Sequence, residues 1–351
     1  MDFLANYGLF LLKTVTITIC AVLLLVVFVK ALRSCQETRE GELKVKNLNK
    51  HFRLLSEAVE EQVLEPDRFK ELQKKRNREE KLRGKHREEK KERKDGKEGK
   101  KEKVFVIDFN GDLRASSVDS LREEISALVS VAKKGDEVVL RLESSGGLVH
   151  SYGLAAAQLE RLKNKGIELT AVVDRIAASG GYMMACVADR VVAAPFALLG
   201  SIGVAAVVPN FHRFLENHQI DVEQITAGEY KRTLSLVGKN TDKGRAKFTE
   251  QVEEAHELFK SFVARHRKTL DMEKAATGEF WYGLQAKEMG LVDDLATSDD
   301  VLLEASKRAQ IYKICFDRPK RFSERVGGMM SVVLRSLFRT GVEEARNKTE
   351  I

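Results

Sequence analysis

Read for its apolar and polar positions, the chain changes texture three times. Leu9–Val29 (LFLLKTVTITICAVLLLVVFV) is apolar over 21 residues with one charge, Lys13. A bilayer-spanning helix needs about 20 mainly apolar residues, so this run predicts a membrane anchor after a short tail at 1–8. It outruns the apolar region of a cleaved signal peptide, and no A-x-A-like site precedes Lys30. Residues 30–73 then predict a membrane-proximal segment with a helical pattern at Leu54, Leu55, Val59, Val63 and Leu64. Residues 74–103 contain only one large apolar residue, Leu82, and predict a solvated linker.

From Val104 onward strand and helix signals alternate. Strands are expected at Val104–Phe109, Glu137–Leu142, Leu169–Val173, Arg190–Ala194, Gly203–Val208 and Asp221–Thr226. Helices are expected at Ser117–Ala132, Leu148–Asn164, Ala178–Ala188, Asp242–Arg267 and Trp281–Leu291. This alternation predicts an α/β domain over 104–300 with a mostly parallel sheet, its functional loops at the carboxyl ends of strands. A C-terminal helical extension is expected over 301–351. Its Val326–Val342 stretch suits equally a subunit contact, an interfacial membrane helix or packing on its own domain. A second apolar stretch, Val191–Phe211, is long enough to span a bilayer. Pro195, Gly200, Gly203 and Pro209 cut it into pieces that suit buried strands instead.

Charge sharpens the linker reading. The chain has 351 residues and a net charge of +7, while 74–103 alone holds 16 Lys/Arg against 8 Asp/Glu. The body outside the linker is therefore near neutral, and the basic balance describes the tether. With no aromatic residue interleaved for base stacking, no nucleic-acid partner is expected; anionic headgroups are the better match for these charges. Lys30, Arg33, Arg39, Lys44 and Lys46 follow the apolar run while Asp2 precedes it, which points the body toward the cytoplasm. Four scattered Cys and seven scattered His form no disulfide framework and no metal-ligand spacing, so no metal or other cofactor is expected.

Candidate chemistry centres on Ala177-Ala178-Ser179-Gly180-Gly181-Tyr182. A serine between a strand and a helix, with small neighbours, suits a nucleophile facing free N–H groups. The same pattern serves equally well as an N-cap serine before a glycine-rich turn. It is not a G-x-S-x-G elbow, because Ala177 stands at the first glycine position. A base is required. None of His150, His212, His218 or His256 has a partner pattern that selects it, and Lys231 in Gly-Glu-Tyr-Lys-Arg is the other candidate. A lysine acting as base near neutral pH must fall from about 10.4 to roughly 7–8, which only an apolar site imposes. Taken alone, Lys231 reads as a surface charge.

Five motifs in fixed order alter that balance: Ser-Ser-Gly-Gly at 144–147, Ala-Ser-Gly-Gly-Tyr at 178–182, Gly-Ser-Ile-Gly-Val at 200–204, Gly-Glu-Tyr-Lys at 228–231 and the run from Trp281 to Asp293. Together they resemble the signal peptide peptidase family of membrane-bound serine–lysine peptidases, over residues 104–300. The anchor and charged tether are most like its shorter bacterial members. The resemblance implies the ClpP/crotonase-like fold of repeated β-β-α units. It also implies Ser179 as nucleophile, Lys231 as general base, Ser201 as the hydroxyl that orients the lysine, and the Gly146 and Gly180 N–H groups as the oxyanion hole. It further implies a serine endopeptidase of the bacterial inner membrane acting on signal-peptide remnants or other unfolded apolar peptides, assembled as a ring-like homo-oligomer. Relatives carry the catalytic body on the outer face of that membrane, opposite to the side the charge bias indicates. Ser145 departs from the proline often found before the glycine pair. Two rivals are an acyl-CoA enzyme of the crotonase type, which needs Glu acid/base residues, and a tethered scaffold that uses 74–103 to bind RNA or lipid.

Overall fold

The computed structural model describes residues 15, 16, 18, 41–76, 78 and 103–318. The anchor expected at 9–29, most of the linker and the Val326–Val342 stretch lie outside the described residues, apart from the first few linker positions and helical positions 15, 16 and 18. Among the described residues no helix is long and apolar enough to cross a membrane. Leu43–Phe316 forms one compact unit.

The unit is built on a sheet in the order β1-β10-β2-β3-β4-β6-β9. Its strands are β1 (Glu42–Asn47), β2 (Lys103–Gly111), β3 (Glu137–Ser144), β4 (Glu168–Val173), β6 (Arg190–Ala193), β9 (Asp294–Leu295) and β10 (Gln310–Asp317). Pairing is parallel from β10 through β2, β3, β4 and β6 to β9. Period-two alternation sends the strands' apolar residues to both faces, as a sheet covered on both sides requires. Phe105, Ile107, Phe109, Leu140, Leu142 and Val173 join a core with helices α2 (Val118–Val131), α3 (Val149–Asn164) and α4 (Gly180–Ala185). Val104, Val106, Val139, Val172 and Val192 face the other way. There Leu302 and Ala305 of α9 (Ser298–Arg308) cover them, with Leu48 and Phe52 of α1 (Leu48–Val63) packed alongside.

Three short strands leave this sheet and form the ledge that carries the site. β5 (Ile176–Ala178) pairs parallel with the end of β3, Ser144 opposite Ala177, and with β7 (Leu198–Gly200), Ala178 opposite Gly200. β8 (Phe280–Tyr282) runs antiparallel to β7. The chain turns from β4 into β5 at Asp174, whose carboxylate accepts from the Ser298 N–H (2.7 Å) and hydroxyl (2.6 Å). Further helices are α5 (His212–Asn217), α6 (Asp242–His266), α7 (Met272–Ala275) and α8 (Gly283–Met289). Thr241 caps α6 by accepting from Gly244 N–H at 3.1 Å.

The α/β expectation holds, with four local corrections. Residues 203–208 and 221–226 are irregular rather than strands. Val207 is 92% exposed and Ile225 is 92% exposed, so among the described residues their apolar character has no core to join. Trp281–Leu291 is split, because Trp281 pairs in β8 before α8 begins. The C-terminal extension is not helical throughout: α9 gives way to β10, which pairs with β2 and places the sheet boundary beyond residue 300.

Candidate active site

Ser179 stands at the junction of β5 and α4 with φ 51° and ψ −119°. A non-glycine residue in such a region costs on the order of 1–3 kcal/mol and persists only where its surroundings impose it. Here the Ser179 N–H donates to Gly200 C=O at 2.8 Å, and the Ser179 C=O accepts from Met183 N–H at 2.9 Å. All six residues of α4 behind it are buried. The side chain makes no capping hydrogen bond, so the N-cap alternative fails and the hydroxyl remains for another task.

The glycine loop after β3 closes against this serine. Gly146 has φ +87°, and a Cβ there would lie 2.7 Å from Gly180 N, 2.8 Å from Ala178 O and 2.8 Å from Ser179 Cβ. Any side chain at 146 would push the loop away. A Cβ on Gly180 would collide with the ring of Tyr152. Ser179, Gly146 and Gly180 are thus brought together as expected. One correction follows: the Gly146 N–H donates inward to Ser144 Oγ at 3.1 Å and is not directed at a substrate. It is Gly147 that lines the pocket with Ser179 and Gly180, together with Val149, Met183, Gly203, Val204 and Phe259. Among the described residues neither the Gly147 nor the Gly180 N–H has an acceptor. The sequence signal for Gly147 was the second glycine of Ser-Ser-Gly-Gly.

Ser201 follows β7 with φ 50°, its N–H donating to Glu279 C=O at 2.6 Å. Because β7 holds Ser179 through Gly200, Ser201 shares the ledge of the nucleophile candidate. Its hydroxyl donates to Gly278 C=O at 3.3 Å. Lys231 departs from expectation: it is exposed rather than buried. Its N–H closes a turn onto Gly228 C=O at 3.2 Å. Among the described residues no hydrogen bond joins its amine to Ser179 or Ser201. Around it, Tyr230 packs under Lys247, whose Nζ is 5.3 Å from the ring centroid, and Glu229 pairs with Lys243. Two of the four candidate histidines meet backbone carbonyls: His256 Nε2 lies 3.1 Å from Ile202 C=O and His218 Nδ1 2.7 Å from Phe214 C=O.

Comparison with known proteins bears on this site. Residues 2–159 match the family described as Peptidase family S49 N-terminal, and residues 161–312 match Peptidase family S49. The chain is similar to a protein named "Probable protease SohB" from Haemophilus influenzae, 47% identical over 93% of this chain and 92% of that one. A "Putative protease SohB" from Buchnera aphidicola is 43% identical over 90% and 91% of the two chains. "Protease 4" from Salmonella typhi is 28% identical over 57% of this chain and 31% of its own length. The catalytic domain of the ClpP protease from Plasmodium falciparum superposes with a TM-score of 0.34 at 10% identity, over 56% of this chain and 86% of that one.

Proposed function

The chain belongs to peptidase family S49 and is a serine-type peptidase, and from that premise we propose a membrane-anchored endopeptidase in which Ser179 is the nucleophile and Lys231 the general base. The observation that carries this reading is the Ser179 backbone: a strained serine at a strand-to-helix turn, its hydroxyl uncommitted, facing a pocket shared with Gly147 and Gly180. In the reaction Ser179 Oγ attacks a peptide carbonyl while Lys231 takes its proton. The oxygen gains negative charge between the Gly147 and Gly180 N–H groups, which need not reorganise to receive it. Lys231 then returns the proton to the leaving amine, and water repeats the sequence on the acyl-enzyme. Ser201 orients the lysine amine without adding charge. The β4–β5–α4 unit, two strands then a helix, supports a ClpP/crotonase-like assignment.

A lysine serves as base at neutral pH only where an apolar surround disfavours its ammonium form. Lys231 is exposed in the single chain. The same segment leaves Val207, Phe211, Phe214, Ile225 and Leu236 exposed. That exposed apolar surface is the support for a homo-oligomer as the active form, since packing between copies would cover it and dehydrate Lys231 in the same step. The anchor at 9–29 holds the assembly at the bacterial inner membrane. Its substrates are then unfolded apolar peptides, such as signal-peptide remnants.

A serine-directed phosphonofluoridate probe tests the nucleophile. It labels the wild-type chain and not Ser179→Ala; equal labelling of both removes Ser179 from the mechanism. A reporter fused after residue 351 decides which side of the membrane carries the body.

A further inference from the structure

A buried chain of hydrogen bonds runs from the glycine loop into the interior. Gly146 N–H donates to Ser144 Oγ at 3.1 Å. Ser144 Oγ lies 2.6 Å from Tyr152 Oη, and Tyr152 O–H donates to Asp112 C=O at 2.7 Å. Each hydroxyl has one proton. Tyr152 spends its proton on Asp112, so the Ser144 hydroxyl donates to Tyr152 and keeps a lone pair for Gly146. The direction of all three bonds is thereby fixed, ending on a backbone carbonyl. Ser144 is 2% exposed and Tyr152 is fully buried, so water does not compete for these groups. Burial also pushes the Tyr152 phenol above its ordinary value, against the lowering effect of the Ser144 bond, so it stays a donor at neutral pH.

The same tyrosine touches the other half of the site. Its ring occupies the space a Gly180 side chain would need, and it meets Phe109 edge-on at 6.4 Å between centroids. Ring and hydroxyl therefore hold two separate pieces of backbone: the ring sets the depth of Gly180, and the hydroxyl, through Ser144, sets the orientation of the Gly146 peptide. The peptide that follows brings Gly147 to the pocket.

We propose that Tyr152 is a positioning residue for the hydrolytic reaction, aligning the Gly147 and Gly180 N–H groups through the Ser144 relay and its ring contact. The inference rests on the reading of Ser179 as nucleophile. Donors act on a developing oxyanion only if aimed where it forms, and removing one costs about 10²–10³-fold in rate. Misaiming a donor without removing it costs less.

The test compares the full chain in detergent with Tyr152→Phe, Ser144→Ala, the double variant and Ser179→Ala. Tyr152→Phe keeps the ring on Gly180 and removes only the relay. Its kcat falls about 10–100-fold with KM within about twofold, because the donors act on the transition state. Affinity for a peptide boronate, which mimics the tetrahedral intermediate, falls by the same factor. Ser144→Ala behaves alike, and the double variant is no worse than either single one, since both cut the same relay. Backbone exchange over residues 145–148 accelerates in all three. Wild-type kcat and boronate affinity in Tyr152→Phe, a loss carried wholly by KM, or additive losses in the double variant overturn the inference. If these hold while Ser179→Ala is inactive, the nucleophile reading survives and the positioning role alone falls. Turnover retained by Ser179→Ala removes both.

Discussion

A Cβ placed on Gly146 would lie 2.8 Å from the Cβ of Ser179, closer than unstrained side chains approach. Two residues 33 positions apart thus share one volume, and the loop after β3 closes on the serine only while residue 146 lacks a side chain. Gly146→Ala adds a steric clash to a φ of +87° that L residues rarely adopt. We expect a loss of about 1–3 kcal/mol in stability and a fall in turnover of more than about tenfold. Peptide hydrolysis and thermal unfolding measure the two; unchanged turnover in Gly146→Ala contradicts the close packing of the loop against Ser179.

Arg267 fastens the turn after α8. Its guanidinium donates to both Asp293 oxygens (2.8 and 2.9 Å) and to Gly290 C=O (2.8 Å), while Asp293 also accepts from Val191 N–H at 2.7 Å. Burial acts to raise the Asp293 carboxyl, and the Arg267 bonds and charge outweigh it, holding it below its ordinary value. The stability it contributes is therefore present above the unfolded carboxyl value and lost as pH falls through the lowered folded value. Arg267→Ala should cost about 2–3 kcal/mol at neutral pH and flatten that acid limb. An unchanged unfolding midpoint at pH 7 contradicts it.

Glu124 behaves in the opposite sense. It is 4% exposed on α2, and burial, with the nearby Asp108 charge, pushes its carboxyl up to about 7 despite a hydrogen bond from Phe316 N–H (2.8 Å) and the nearby Lys313. The folded protein holds this proton more tightly than the unfolded chain. Stability is therefore favoured below the unfolded value near 4.5 and declines as pH rises toward 7, by up to about 3 kcal/mol. Glu124→Gln keeps an acceptor for Phe316 and cannot ionise. Its stability relative to wild type should grow between pH 4.5 and 8, read by denaturant unfolding with the single Trp281 as probe. A difference that stays constant over that range contradicts the assignment.

The apolar segment around Lys231 gives an assembly prediction. Ile225→Glu places a charge on a 92% exposed apolar position, where the single chain has nothing to lose. If copies pack there, the variant sediments as smaller species and loses hydrolysis in parallel, with its unfolding midpoint little changed. Full activity and unchanged assembly remove that segment from the interface.

How much of this was legible beforehand depends on where burial comes from. β2, β3, β4 and helices α2, α3 and α6 were readable because their period-two or helical patterns face a core supplied by the same chain. Residues 203–208 carry an equally apolar pattern and form no strand, because hydrophobicity records a need for cover without saying what supplies it. β1 and β10 carry no such signal for the converse reason: β1 is exposed throughout, and β10 buries only Ile311 and Ile314, three residues apart, while its pairing with β2 is long-range. At the site, Ser179, Gly180 and Ser201 were marked by local motifs. The family resemblance implies an outward Gly146 N–H, and only the position of Ser144 Oγ turns it inward. Tyr152 and Ser144 gave no sequence signal as a pair, since their link exists only where β3 meets α3.

Ser179 and Lys231 are proposed to carry out peptide hydrolysis together. The most direct measurement is the hydrolysis of a panel of apolar peptides by the full-length protein, beside Ser179→Ala and Lys231→Ala at matched assembly state. Cleavage is expected by wild type and none detectable by either variant, with unfolding midpoints unchanged. Full turnover by either purified variant would contradict their joint role.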